Sequence, residues 1–293
     1  MQSFLSCLQA ARVMGVSSST VKRLCDDESL EVVRTPGGHR RIPAQAIEAW
    51  LAENGMQSVA MPGSKRKYVR LLAHDEMVDA LAAGNVDLVE FDLSERLCRG
   101  EMFPEIVDDV LMPVMTEVGS LWERGEWDVY QEHFATKTLA DVLARIRQSD
   151  FSKWRDQPRI AASMAICCTL DEEQHGLITD MIELSLVQMG WQCVNLGVGI
   201  PQASLVSAVK EFDPRLICVS YSFVADVEQC YTSNRCLFNE MHENQRLMIG
   251  GRGLVNCDLS QMKYHQLGSS LSDIANFARE LAGQRKPSAT FDQ

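Results

Sequence analysis

The sequence predicts a multidomain protein of the α and α/β classes: a winged helix-turn-helix, a four-helix bundle and a Rossmann-like (flavodoxin-like) parallel-sheet domain. Three observations predict it. In residues 4–53 a helix-turn-helix pattern is followed at once by a basic hairpin with a glycine tip. Residues 71–148 are helices with apolar periodicity and short joints. From residue 159 onward, apolar strand-like runs alternate with helical stretches, the pattern of a parallel sheet with crossover helices.

Bulk properties bound the reading. A length of 293 residues suggests two or three domains, and 46% hydrophobic content suits a globular chain. No apolar run reaches bilayer length. The start, MQSFLSCLQAARVMG, lacks the basic head and long apolar core of a signal peptide. A cytoplasmic protein without membrane contact is expected. The net charge of −12 is uneven: residues 1–70 hold ten Lys/Arg against six Asp/Glu, and the remainder 18 against 34. A basic leading module on an acidic body confines nucleic-acid binding to that module. The ten cysteines are scattered without CxxC spacing. They read as reduced core thiols, with Cys167 and Cys168 on a buried strand.

Residues 4–16 have helical spacing and end in Gly15-Val16. Ser17 is a candidate N-cap for a second helix, whose Val21 and Leu24 face the core. Its polar side carries Ser18, Ser19, Lys22 and Arg23, residue types that bond phosphates and base edges. EVVRTPGGHRRIP then makes two extended pieces around a Pro-Gly-Gly tip. His39, Arg40 and Arg41 give that wing a basic flank suited to backbone or minor groove. Residues 43–53 close the module as a helix with Pro43 at its first position.

Residues 55–67, GMQSVAMPGSKRK, read as a linker. Helices follow over 71–83, 86–99, 101–124 and 130–148, suggesting a bundle. In LWERGEWDVYQEH, Trp122 is followed ten residues later by Glu132 and His133. Such a set can cap a large ligand, with the indole as a flat apolar face and the polar pair as hydrogen-bonding groups. Taken alone, the segment reads rather as a buried tryptophan beside a helix-start Glu-His pair.

Residues 159–167 read as the first strand of the C-terminal module. A helix runs from about 175 to 189, then come the strand QCVNLG, a helix from Pro201 to 212, the strand RLICVSYS, a helix over 224–242, the strand RLMIGGRG and a helix over 272–281. Ligands of such sheets sit at the carboxyl ends of the strands. The segment DEEQH, Ser220 and Gly250-Gly251 all fall there. The glycines form no GxGxxG or GxxxxGK[ST] motif, which weighs against NAD and ATP. His175 follows Glu173 by two residues. It is open to three roles: metal ligand with Glu173 holding its second nitrogen, catalyst, or solvated helix-start residue.

Residues 4–54, with TPGGHRR, resemble the winged-helix domain of MerR-type regulators. The helical module followed by the Rossmann-like module resembles cobalamin-binding regions. In this order the whole chain is similar to the CarH-type adenosylcobalamin photoreceptor repressors. Trp122, Glu132 and His133 match that family's Trp-x9-Glu-His pattern. Glu173 and His175 match the start of its Glu/Asp-x-His-x-x-Gly motif, Ser220 its Ser-x-Leu, and Gly250-Gly251 its Gly-Gly. The resemblance implies a regulator, a repressor in the family pattern, on double-stranded operator DNA, acting as a dimer or tetramer and competing with RNA polymerase at the promoter. It implies adenosylcobalamin with His175 as axial cobalt ligand, the adenosyl group under Trp122, Glu132 and His133, and light sensing through the cobalt–carbon bond. Three positions depart from the pattern: Ile178 replaces the motif glycine, Ser222 the leucine, and Glu123 the histidine that follows the tryptophan in well-known members. The alternative is a cobalamin-independent regulator whose degenerate domain binds a protein partner. A cobalamin enzyme is not expected, because it would need a separate substrate domain. The expected domains are 1–54 for DNA, 55–67 as linker, 68–152 as helical cap and 153–293 as cobalamin-binding domain.

Overall fold

A computed structural model of the chain describes residues 4–5, 7–14, 16, 18–34, 40–53, 70–149, 154, 163–170 and 176–283. It divides into two compact units, residues 1–99 and 100–293.

In the first unit, β1 (Phe4–Leu5), α1 (Cys7–Met14), α2 (Ser18–Asp26), β2 (Val33–Arg34), β3 (Arg40–Pro43) and α3 (Ala44–Glu53) build the N-terminal module. The sheet order is β1-β3-β2, all antiparallel. Phe4 and Leu5, expected at the head of a helix, instead pair with Pro43 and Ile42, a long-range contact that local periodicity does not carry. Pro43, expected as the first helical residue, ends β3. The core beneath is Leu5, Val13, Met14, Val21, Leu30, Ile42, Ile47 and Leu51, all at most 5% exposed. Each such side chain contributes about 1.5–3 kcal/mol on burial. Ser17, His39 and the linker 55–67 lie outside the described residues. In the same unit α4 (His74–Ala82) and α5 (Val86–Cys98) follow. The Asp92 carboxylate, buried on α5, accepts from Leu72 N at 2.6 Å and Arg96 Nε at 2.7 Å, which repays its desolvation.

The second unit starts with α6 (Phe103–Ile106), a π-helical turn at Val107–Leu111 and α7 (Met112–Glu123). A continuous helix over 101–124 is interrupted here. Pro113 has no N–H for the Asp109 carbonyl and crowds it, and the wider π turn absorbs the mismatch. Then α8 (Val129–Ser149) leads to an α/β body: β4 (Met164–Leu170), α9 (Leu177–Gln188), β5 (Gln192–Ile200), α10 (Gln202–Phe212), β6 (Leu216–Ser220), α11 (Val227–Glu240), β7 (Arg246–Gly250), β8 (Gln266–Gly268) and α12 (Leu271–Gly283). The sheet order is β5-β4-β6-β7-β8, all parallel. The first strand starts later than its apolar run implies, because Met164 is where register with Gln192 begins. The three-residue β8 was not expected, being too short to show alternation.

Residues 181–187 of α9 are all buried, since the helix packs on the sheet and is covered by α6, α8 and α12. Polar ties fix those outer helices. Gln188 Oε1 accepts from Phe103 N at 2.7 Å, and the Asp108 carboxylate accepts from Leu271 N and Ser272 N at 2.8 Å each. Arg147 Nη2 reaches Asp180 Oδ1 and Glu183 Oε2 at 2.6 Å each.

Candidate functional site

The strand order of the α/β body reverses between β4 and β6. In doubly wound sheets the crevice outside the strand carboxyl ends at that reversal is where ligands lie. Thr169, Ser220, Gly250 and Gly268 are register partners across β4, β6, β7 and β8 and form its rim. All four are small, so the rim is low. The segment 171–175 leaves β4 at this point; Glu173 and His175 lie outside the described residues. Ile178 occupies the first turn of α9 and is half-buried.

Ser220 Oγ is buried and 3.5 Å from Ser222 Oγ, the outer limit of a hydrogen bond, so the two hydroxyls retain bonding capacity for a polar ligand. The glycines have a cause of their own. A Cβ on Gly250 would fall 2.5 Å from the Gly268 carbonyl oxygen. Gly251 has φ +112°, and a Cβ there would strike the Tyr221 backbone. The fold itself therefore requires glycine at both places. Around the rim stand exposed apolar side chains: Val198 at the end of β5, Phe223 after β6 and Val255 after β7.

Arg252, directly after the glycines, donates from Nη2 to Thr116 Oγ1 at 2.5 Å. This brings the middle of α7 to the β7 end of the rim. Trp122 lies six residues further along α7, about 9 Å at the helical rise, and α8 starts after the tight turn at 124–128. Trp122 is 48% exposed. Glu132 Oε1 accepts from Thr136 Oγ1 at 2.9 Å, and Glu132 Oε2 lies 3.4 Å from Nε2 of the exposed His133. Tyr130, His133 and Phe134 share one helical face by their i, i+3, i+4 spacing, and Tyr130 and Phe134 are 67% and 51% exposed. The structure thus places Trp122, Glu132 and His133 at one end of the α7–α8 hairpin, beside aromatics that the sequence reading passed over. Their spacing in DVYQEHF was the available signal.

A low polar rim and an exposed aromatic surface in the same unit fit a large, flat, partly polar ligand such as a corrin with its nucleotide tail. Among the described residues no group of three His, Cys, Asp or Glu is placed to hold a metal ion. A metal carried in its own macrocycle needs no such group. Burial pushes the Cys168 thiol up to about 12 and raises that of Cys218, while the hydrogen bond with Cys193, together with burial, raises that of Cys167, which keeps all three protonated and inert.

On the N-terminal module, Ser19, Lys22 and Arg23 are exposed on α2 and Arg41 is exposed on β3. Ser18 starts α2. Arg40 is turned inward, with its Nη2 held by Asp26 at 2.7 and 2.9 Å. Arg34, which joins the same carboxylate at 3.0 Å, was not singled out from sequence.

Comparison with known proteins assigns two parts of the chain. Residues 5–55 match the family model of a helix-turn-helix domain, and residues 73–147 that of a B12 binding domain. The second match covers α4 to α8, the helical part of the chain. The chain thus joins a helix-turn-helix domain to a B12-binding domain. No curated protein sequence matches it. The monomethylamine corrinoid protein of Methanosarcina barkeri aligns at TM-score 0.55 and 18% identity, covering 70% of this chain and 96% of its own. That likeness is one of fold. A cobalamin-binding protein from Desulfitobacterium hafniense DCB-2 aligns at TM-score 0.37 and 14% identity, covering 73% of this chain and 100% of its own. The methanol:cobalamin methyltransferase complex of M. barkeri aligns at 0.37 and 18%, covering 92% and 93%. Among the described residues no helix is long and apolar enough to cross a membrane.

Proposed function

We propose that the chain is a cytoplasmic, non-enzymatic transcriptional regulator, a repressor of the MerR type, that binds operator DNA through residues 1–54 and is controlled by cobalamin held by its C-terminal modules. The observation that carries this reading is the presence of a helix-turn-helix match and a B12-binding match in one chain. In this reading His175 would hold the cobalt and Glu173 would orient its imidazole. Trp122, Glu132 and His133 would hold the adenosyl group, the indole by apolar contact and the polar pair by hydrogen bonds, and Ser220 with Gly250-Gly251 would border the nucleotide tail. Bound adenosylcobalamin would supply a visible chromophore whose cobalt–carbon bond light can break. The exposure of Trp122, Tyr130 and Phe134 supports a surface completed by a ligand. A cofactor alters DNA binding only through its differential affinity for two states of the protein. We assign those states to different oligomers, dimer or tetramer, because paired half-sites make affinity depend on oligomeric state. Bound to its operator, the regulator would compete with RNA polymerase at the promoter.

A second reading, a cofactor-free regulator with a protein partner, is favoured by one observation. Ile178 fills the first turn of α9 where the resembling family has glycine. One experiment separates the two. The protein is mixed with adenosylcobalamin in the dark, desalted, and its visible spectrum recorded before and after illumination. Retained corrin absorbance that changes with light supports the first reading, and no retained absorbance leaves the second. A spectrum unaltered in His175→Ala would remove the axial-ligand role alone.

A further inference from the structure

The wing contains an electrostatic conflict. Arg34 on β2 and Arg40 on β3 are direct register partners in the antiparallel pair. Like charges facing each other across a ladder repel, and strands this short have little ladder to hold them together. Asp26, the last residue of α2, resolves the conflict. Its Oδ1 accepts from Nη2 of Arg34 at 3.0 Å and from Nη2 of Arg40 at 2.7 Å, and its Oδ2 from Arg40 at 2.9 Å. One carboxylate thus joins the second helix to both strands of the wing. The hydrogen bond from Arg40 holds the Asp26 carboxyl below its usual range, and the same bond raises Arg40. Among the basic side chains, Arg40 is the one half-buried by this arrangement; Arg34 keeps its bond to Asp26 while remaining exposed, as Lys22, Arg23 and Arg41 are.

We propose that Asp26 is a positioning residue for DNA binding, its carboxylate clamping Arg34 and Arg40 and so setting the wing against the second helix of the helix-turn-helix. The proposal rests on the reading of residues 1–54 as the DNA-binding module. It makes a prediction with an unusual sign. An acid at a DNA-facing surface repels phosphate and offsets a basic contact, so simple charge removal there tightens binding. A clamp predicts the reverse.

The test uses the full chain, with and without added adenosylcobalamin, and a duplex enriched from a random-sequence library by the wild-type protein. Dissociation constants are read by fluorescence anisotropy over a salt series. Asp26→Asn is expected to weaken binding by roughly three- to tenfold. Asp26→Glu, which keeps the charge, recovers most of the loss. Arg40→Gln opens the same clamp from the wing side. Combined with Asp26→Asn it costs little more than either change alone, the non-additivity of residues in one network. Binding that is unchanged or tightened in Asp26→Asn, or full additivity of the pair, overturns the clamp. The parent reading fails separately. If no duplex is enriched, or if Arg23→Ala and Arg41→Ala leave affinity and salt slope untouched, residues 1–54 are not the DNA-binding module.

Discussion

Replacing Asp108 by alanine tests how the outer helices are held to the α/β body. The amides at the start of α12 are satisfied by two carboxylates. Asp273 Oδ2 accepts from Ser269 N at 2.8 Å and Ser270 N at 3.1 Å, while Asp108, in the π turn, accepts from Leu271 N and Ser272 N. Loss of a side-chain helix cap costs about 1 kcal/mol and at most ~2. Two part-buried amides left without an acceptor add about 1–3 kcal/mol, of which water that enters the site returns a share. Asp108→Ala should therefore cost about 2 kcal/mol, a drop in melting temperature of roughly 4–8 °C for a unit of this size. Asp108→Asn keeps one acceptor oxygen and should cost about half as much. Urea unfolding followed by far-UV circular dichroism reads the change as a lower midpoint at unchanged slope. An alanine variant within ~0.5 kcal/mol of wild type, or an asparagine variant as damaging as alanine, would refute the reasoning.

Two further predictions follow from named contacts. Gly251→Ala places a side chain at φ +112° against the Tyr221 backbone and should cost about 3 kcal/mol or more, whereas Gly176→Ala, with φ −84° and only Val198 Cγ1 at 3.4 Å, should be nearly neutral in the same melt. His265 Nδ1 accepts from Leu247 N at 3.0 Å, and the ring stacks on Phe238. Partial desolvation, helped by Arg246, lowers its pKa from 6.5. Its stabilisation is therefore present above the unfolded value and is lost as pH falls through the lower folded value. The wild-type melting temperature should fall between about pH 7 and pH 5 by more than that of His265→Gln, and equal falls would exclude the histidine.

The elements that periodicity governs were legible in the sequence. α4, α5, α8 and the parallel alternation of the C-terminal module follow from apolar spacing and turn residues close to their predicted bounds. What was not legible depends on partners distant in the chain. Phe4 and Leu5 are strand because Pro43 and Ile42 pair with them. The π turn follows from Pro113 within an otherwise regular apolar pattern. At the candidate DNA surface, Arg40 was legible as a basic wing residue, but its hold on Asp26 was not, since the acid lies fourteen residues away.

The Gly250-Gly251 pair shows how a motif match can carry less than it promises. Both glycines have sufficient cause in the backbone packing of β7 against β8 and Tyr221, so a cofactor-free descendant of the same fold would keep them. Ser220 is only slightly more informative, since small residues are what a closely packed rim admits. Trp122, Tyr130 and Phe134 are different. Leaving large aromatic surface in water stabilises nothing within the chain, and burying it against a ligand or partner recovers about 25 cal/mol per Å² of apolar area. The weight of the cofactor reading therefore falls on the aromatic end of the α7–α8 hairpin, and substitution of Trp122 discriminates more sharply than substitution of either glycine. Trp122 is 48% exposed, so loss of corrin retention in a Trp122→Ala variant whose melting temperature stays near wild type reports on the ligand surface itself.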